Sequence, residues 1–265
     1  MKDISVVLPI ASSKHKNFIE LFTNAIVSIK NQSSQPKELV LVHSNEESLV
    51  SILNGFDFSG ITVNMVENKG HTDFASQMNL GVEKSTSEWV SFLEFDDEYA
   101  SIWFKNVQTY IDAHPNVNGF LSLVVDVDDK GSFAGFTNEA TFAASMNTEI
   151  GYLTNEVLLD YQNFQSAGMV IKKETYQETG GFKPSLKLTF VYEYLLRLTY
   201  NSVKLMTIPR IGYKHLNMRE GSIFWNYKNG ANRVTEDEVR FWLDTAKKEH
   251  FFNEDRNIKY EPISV

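Results

Sequence analysis

Short apolar runs alternate with segments of helical periodicity over about the first 115 residues, and this alternation constrains the fold more than any other feature. Continuous apolar or β-branched runs, typical of strands buried on both faces, occupy residues 4–9, 38–42, 61–66 and 88–95. Apolar side chains spaced three and four positions apart predict helices over residues 17–32, 72–84 and 101–113. Strands that alternate with helices predict an α/β protein whose parallel sheet is covered on both faces.

The second half of the chain is less regular. Its patterns predict strands over residues 120–127, 167–171 and 203–208, and helices over residues 173–179, 190–200 and 235–248. Trp225 and Tyr227 are expected in a loop that contacts a ligand or a partner. Since no Gly/Ser-rich or Pro-rich linker is present, we predict one domain over residues 1–220 with two lobes (1–115 and 116–220), then an extension over residues 221–265.

Composition narrows the classes of partner. The formal net charge is −9, which argues against a broad basic surface and therefore against nucleic acid as a partner. The chain has no cysteine, so disulfides and thiolate metal sites are excluded. Neither a signal peptide nor an apolar run long enough for a transmembrane segment is recognised, so we expect a cytoplasmic protein, with peripheral membrane contact left open.

An acidic cluster follows the fourth predicted strand directly, in the order Glu94-Phe95-Asp96-Asp97-Glu98. Carboxylates at the end of a buried strand are costly unless they are paired or bind a cation. Because alternate residues of a strand face the same way, Glu94 and Asp96 are expected to point into one cleft. Oxygen ligands of this kind suit Mg²⁺ or Mn²⁺. The alternative interpretation is a solvated acidic turn.

Seven segments that include this cluster stand in a characteristic order. They are residues 4–9 with Gln32, residues 38–45, residues 68–81, residues 92–97, residues 168–183 with Gly180-Gly181-Phe182, residues 190–198, and Ile208-Pro209 with Tyr213, His215 and Ser222. Together they resemble the family 2 glycosyltransferases. The resemblance covers about residues 4–222 and implies a GT-A type fold, in which a mostly parallel, Rossmann-like sheet is flanked by helices. It also implies an acceptor-side lobe and a C-terminal helical extension.

The resemblance implies a function as well: metal-dependent, inverting transfer of a sugar from a nucleotide-diphosphate sugar, with Mn²⁺ or Mg²⁺ as cofactor. Residues 1–115 would form the nucleotide-binding part and residues 116–220 the acceptor part. Asp96 and His215 would bind the metal ion. The donor would contact Pro9, Ser44, Asn68, Lys69, Asn79, Glu94, Asp97 and Arg219. The acceptor, whether glycan, lipid or protein, is not specified by these residues.

Two departures from the family pattern bear on activity. His43 and Ser44 replace the acidic pair that contacts the nucleobase in the family, and Val191 stands where the family has its catalytic base. Glu193 is the candidate base, although a packing carboxylate beside Arg197 is an equal alternative. A catalytically silent relative that binds a nucleotide sugar or glycan, and an interaction module on the same fold, are therefore alternatives to the enzyme.

Overall fold

The computed structural model describes residues 2–139, 152–217, 219–230 and 233–253. The strands are β1 (Ile4–Ile10), β2 (Glu38–His43), β3 (Val63–Glu67), β4 (Trp89–Phe92), β5 (Glu98–Tyr99), β6 (Gly119–Val127), β7 (Phe133–Thr137), β8 (Tyr152–Leu153), β9 (Val170–Lys172) and β10 (Leu205–Leu216). The helices are α1 (Phe18–Lys30), α2 (Glu47–Gly55), α3 (Phe74–Lys84), α4 (Trp103–Ala113), α5 (Asn155–Asp160), α6 (Lys173–Glu178), α7 (Phe190–Tyr200), α8 (Ile223–Asn229) and α9 (Glu236–Glu249).

These strands form a single sheet in the order β3-β2-β1-β4-β9-β6-β10-β5, with β7 paired to β6 and β8 paired to β10. The pairs β1–β2, β2–β3, β1–β4 and β6–β10 are parallel. Since β9 is antiparallel to both β4 and β6, strands β1–β4, β6 and β10 all run in one direction. The predicted α/β class with a mostly parallel central sheet is therefore confirmed.

Both faces of the sheet are buried at β1, β2 and β4, which explains why the sequences of these strands are mostly apolar. Every residue of β1 is buried. Val6 belongs to the hydrophobic cluster that contains Phe22 of α1, whereas Val7 belongs to the cluster that contains Met78 of α3. Helix α3 lies so close to β1 that a Cβ atom added at Gly81 would be 2.3 Å from Val7. Helices on both faces thus leave the strand ends as the accessible parts of the sheet.

The structure corrects several of the predicted elements. Helix α2 was not predicted, because its nine residues are too few to distinguish its pattern from that of a strand. Strand β10 continues beyond the predicted residue 208, since register shifts between Ile208 and Tyr213 accommodate the intervening proline and glycine. Asn17 precedes α1 but makes no side-chain capping bond. Trp225 and Tyr227 lie on α8 rather than in a loop.

Candidate functional site

The acidic cluster lies in a turn between β4 and β5, at the end of the sheet where the parallel strands have their carboxyl termini. The backbone leaves β4 at Leu93, whose N–H donates to the Val7 carbonyl at 3.0 Å. The turn closes when the Asp97 N–H donates to the Glu94 carbonyl at 3.2 Å, and β5 then pairs with β10. Glu94 and Asp96 were predicted to face the same way as alternate residues of a strand. They are not strand residues, because β4 ends at Phe92 and both side chains belong to the turn.

Strand β10 brings His215 to the turn. The Asp97 carboxylate is almost fully buried, accepts a hydrogen bond from the Leu216 N–H at 2.8 Å, and lies 3.2 Å from His215 Nδ1. Because a carboxylate only accepts, His215 Nδ1 carries the proton of this contact. Glu94, Asp97 and His215 each offer a ligand atom, and these atoms lie within 4.8 Å of one another.

Asp96 faces a different partner. Arg219, in the segment after β10, donates through Nε to the Asp96 carboxylate at 2.5 Å. The guanidinium carbon of Arg219 is 5.0 Å from the centre of the Phe95 ring, and the same ring stacks on His15 at 5.0 Å. The structure therefore places Asp96 against Arg219 and groups Asp97, not Asp96, with the histidine.

Crowding of carboxylates dominates the electrostatics of the turn. Burial, and then the charges of Asp97 and Asp96, raises the pKa of Glu94 to about 8. Burial and Asp97 also raise the pKa of Asp96, against the opposing effect of Arg219. Burial opposes protonation of His215, but Asp97, Glu94 and Asp126 together raise its pKa to about 10. If all three carboxylates of the turn were ionised, their charge would exceed that of Arg219 and protonated His215, and the raised pKa of Glu94 reduces this excess.

A divalent cation fits this donor set. Two carboxylates and one imidazole converge at Glu94, Asp97 and His215. Carboxylate oxygens suit Mn²⁺ and Mg²⁺, and a neutral imidazole is a common metal ligand. A bound cation would also relieve the repulsion that raises the pKa of Glu94. The residues present can therefore hold such an ion, and this is the same turn from which the sequence predicted metal binding.

One further carboxylate at this end of the sheet, Asp126, was not identified as a site residue from the sequence. Asp126 is the register partner of His215 across β6 and β10. It is buried, and its carboxylate accepts a hydrogen bond from the Thr137 hydroxyl at 2.7 Å. Burial raises the pKa of Asp126, although that hydrogen bond opposes the shift. Its position near the end of an apolar strand is the signal that could have identified it.

The loops after β1, β2 and β3 meet beside one another at the same edge. The Ser44 hydroxyl donates to the Ala11 carbonyl at 2.7 Å, and the Asn68 N–H donates to the His43 carbonyl at 2.7 Å. The Asn68 side chain holds its own loop through the Gly70 N–H and the His71 carbonyl. Lys69 is exposed on this loop, whereas Pro9 is buried within β1. Of the predicted donor contacts, these four therefore cluster at the carboxyl ends of neighbouring strands.

Asn79 is occupied within the protein. Its amide nitrogen donates to the Phe182 carbonyl at 2.8 Å, and its amide oxygen accepts from the Phe182 N–H at 3.0 Å and the Tyr176 hydroxyl at 2.6 Å. These bonds connect α3 to the turn at Gly180 and Gly181, both of which have positive φ. The predicted donor contact of Asn79 remains a prediction, and what the structure describes is a side chain that holds two segments together.

Glu193, the candidate base, is fully buried. Its carboxylate accepts from Arg197 Nε at 2.8 Å and Nη2 at 2.9 Å, and it lies 3.1 Å from Lys183 Nζ. Arg197 in turn donates to the Thr179 and Gly181 carbonyls. This placement argues against the catalytic prediction and supports the alternative, a packing carboxylate paired with Arg197.

Comparison with known proteins adds independent evidence. The model of the family described as glycosyl transferase family 2 matches residues 5–167, which is more than half of the chain. A Haemophilus influenzae protein described as an uncharacterized glycosyltransferase is 24% identical over 174 residues, which cover 64% of this chain and 55% of that protein. The chain thus spans about half the length of this curated relative.

Solved structures of S. aureus TarS share the fold. TarS 1–349 in complex with UDP superimposes with a TM-score of 0.61 at 16% identity, covering 94% of this chain and 72% of TarS 1–349. The complex of TarS 1–349 with UDP-GlcNAc gives the same TM-score and coverage at 15% identity. These matches confirm the GT-A type fold.

None of the helices within the described ranges has the length and apolar character required to cross a bilayer.

The family match, the ordered sequence segments and the superimposed fold agree with one another. The chain belongs to glycosyl transferase family 2.

Proposed function

We propose that this protein transfers a sugar from a nucleotide-diphosphate sugar to an acceptor, with Mn²⁺ or Mg²⁺ as cofactor and with inversion at the transferred carbon. The observation that carries the proposal is the convergence of Glu94, Asp97 and His215 at the carboxyl edge of the sheet. In open α/β sheets ligands bind in the crevice outside the carboxyl ends of the strands. A cluster of unbalanced carboxylates there has its simplest use in holding a cation.

Glu94, Asp97 and His215 would hold the ion, and its binding would release the proton that His215 Nδ1 donates to Asp97. When bound, a divalent cation neutralises negative charge that develops on a departing diphosphate. Arg219 supplies a second cationic group next to the turn, and Asp96 together with the Phe95 ring keeps it there. Metal ligation by Asp96 remains the alternative, and a variant of each aspartate separates the two.

The nucleotide is proposed to lie along the ends of β1, β2 and β3, against Ser44, Asn68 and Lys69. The His43 ring atom available to the nucleobase is Nε2, because Nδ1 lies 2.9 Å from the Ser44 carbonyl and must donate to it. The solved TarS complexes contain UDP and UDP-GlcNAc, which makes uridine nucleotides the first donors to test. We assign no acceptor among glycan, lipid and protein.

A catalytically silent nucleotide-sugar-binding protein is the second candidate function. Two observations favour it: Val191 stands at the position of the family base, and Glu193 is enclosed by Arg197 and Lys183. An inverting transfer requires a group that accepts the acceptor hydroxyl's proton. Donor binding with neither sugar transfer nor donor hydrolysis is the result that this candidate predicts.

Thermal unfolding with a panel of nucleoside diphosphates and nucleotide sugars, with and without Mn²⁺, tests donor binding. A ligand present at a hundredfold excess over its Kd adds about 2.7 kcal/mol of stability, which is a rise of roughly 5–10 °C in Tm for a chain of this size. The rise is expected only with Mn²⁺ and is expected to disappear in Asp97→Asn. Asp129→Asn, in an exposed turn, is the matched control and keeps the rise. Transfer or hydrolysis of the donor that binds then decides between the two candidates, and no rise with any nucleotide contradicts both.

A further inference from the structure

The proposed transfer leaves one chemical role without a residue. When the oxygen of an acceptor hydroxyl attacks the sugar, a positioned carboxylate or imidazole usually takes the proton of that hydroxyl. Val191, at the family's position for this base, has no group that accepts a proton. The Glu193 carboxylate is already held by Arg197 and Lys183. An active enzyme therefore needs another proton acceptor near the acidic turn.

Asp126 lies on the face of the sheet that the acidic turn covers. It is the register partner of His215 in the parallel pair β6–β10. Two residues earlier, Val124 and Tyr213 are also register partners, and both belong to one hydrophobic cluster. The Tyr213 hydroxyl accepts a hydrogen bond from the Glu94 N–H at 3.0 Å. Because residues two apart in a strand face the same way, the Asp126 side chain lies beside His215, next to the candidate site.

The carboxylate of Asp126 differs from that of Glu193 in its partners and in its enclosure. Its Oδ2 atom accepts a hydrogen bond of 2.7 Å from the Thr137 hydroxyl. Among the described residues, lysine and arginine form ion pairs with Glu193 but not with Asp126. Asp126 also keeps 7% of its surface exposed, whereas Glu193 is exposed by 0%. Since the two oxygens of a carboxylate accept about four hydrogen bonds, Asp126 has an oxygen left for a further donor.

We infer that Asp126 is the general base of the transfer and takes the role that Val191 cannot fill. This inference rests on the proposed function. In the step, the acceptor hydroxyl gives its proton to the Asp126 carboxylate while its oxygen forms the new bond to the anomeric carbon. The bond from that carbon to the diphosphate oxygen breaks, and its electron pair leaves with the nucleoside diphosphate. Thr137 is a positioning residue, because its hydroxyl holds Oδ2 and leaves Oδ1 for the acceptor.

Asp126→Asn tests this inference, because the amide keeps an oxygen that accepts from the Thr137 hydroxyl but does not take a proton. Water is the probe nucleophile in place of the unidentified acceptor, since it must lose a proton as well. UDP release is measured with UDP-GlcNAc and Mn²⁺, or with the nucleotide sugar of the thermal panel that binds in its place. Turnover is expected to fall roughly 100- to 10,000-fold, while the Kd for UDP stays within about twofold. Asp129→Asn, in an exposed turn, is the matched control and keeps both values.

Two further measurements distinguish a base from a structural or metal-binding carboxylate. Sodium formate, added to Asp126→Ala, brings a carboxylate to the space that the truncation leaves, and is expected to raise UDP release at least roughly tenfold. Formate is expected to leave Asp97→Asn unchanged. The Mn²⁺ affinity of Asp126→Asn, followed by electron paramagnetic resonance, is expected to equal that of wild type.

Wild-type UDP release in Asp126→Asn, or no formate rescue of folded Asp126→Ala, overturns this inference alone. Loss of Mn²⁺ or UDP binding together with turnover also overturns it, because Asp126 would then belong to the donor site. A wild type that binds the donor but releases no UDP overturns the proposed transfer, and the inference falls with it. Loss of turnover in Glu193→Gln, with Asp126→Asn active, would return the role to Glu193.

Discussion

Two clusters of charged side chains lie in this protein, and they differ in how their charges are balanced. Around Glu193, the fully buried Glu193 carboxylate and the Glu249 carboxylate are matched by Arg197 and Lys183. Arg197 also donates to two backbone carbonyls. Around Glu94, three carboxylates of one turn face His215 and Arg219. The first cluster is complete without a ligand, whereas the second would carry excess negative charge with all three carboxylates ionised, at the strand ends where ligands bind. Charge balance therefore separates a structural carboxylate from a candidate functional one.

The largest expected effect follows from breaking the complete cluster. In Arg197→Leu, Glu193 loses its bidentate partner in a fully buried position, which is expected to cost about 3–5 kcal/mol of unfolding free energy. Urea denaturation monitored by circular dichroism measures the loss. Arg240→Leu, on an exposed helix position, is the control and is expected to change stability by less than about 0.5 kcal/mol.

Glu193→Gln sharpens the same comparison. A structural Glu193 predicts lower stability with unchanged turnover per folded molecule, measured below the unfolding transition. Unchanged stability together with a large loss of turnover would instead make Glu193 the catalytic base and would contradict the distinction between the two clusters.

Glu38 is another buried carboxylate, and it tests whether hydrogen bonds within the protein are enough to make a carboxylate structural. Glu38 accepts from the Ser5 hydroxyl at 2.6 Å and from the Thr86 N–H at 2.6 Å. Burial opposes ionisation, but these hydrogen bonds hold the pKa of Glu38 below its usual value. Since the folded-state pKa is depressed, the stabilisation is present above the unfolded-state pKa of about 4.3 and is lost as pH falls through the folded-state value.

Glu38→Gln is accordingly expected to cost about 1.5–3 kcal/mol at pH 7, the range for a hydrogen bond to a charged group. The difference from wild type should shrink as the pH is lowered below about 4.3. Chemical denaturation across this pH range measures both values, and a difference that is constant with pH would exclude a role for the Glu38 charge.

A substitution in the cluster around Glu94 is expected to have the smallest effect on stability, and it is expected to stabilise the protein. Glu94→Gln removes one of three crowded carboxylates, so the metal-free protein is expected to gain about 1 kcal/mol of stability at pH 9, above the raised pKa of Glu94. Denaturation in EDTA measures the gain, and excess Mn²⁺ is expected to reverse it because wild type alone keeps the full ligand set. A loss of stability in EDTA would place Glu94 with the structural carboxylates.

The sequence allowed the longer buried strands and most helices to be predicted because burial leaves a strong apolar pattern, as in β1 and α7. The two-residue strands β5 and β8 were not predicted. The site was predicted less accurately. The period of two that applies to a strand does not extend into the turn that follows Phe92, so the partner of His215 could not be chosen between Asp96 and Asp97. Burial of Glu193 could have been recognised, since α7 is apolar around almost its whole circumference and Arg197 lies four residues after the glutamate.

The central claim is that Asp97, with Glu94 and His215, holds a divalent cation. Titration of Mn²⁺ followed by electron paramagnetic resonance on wild type, Asp97→Asn and Asp96→Asn tests it most directly. The account predicts one site in wild type, an affinity at least roughly 100-fold lower in Asp97→Asn, and a nearly unchanged affinity in Asp96→Asn. Equal affinity in wild type and Asp97→Asn, or loss confined to Asp96→Asn, would contradict it.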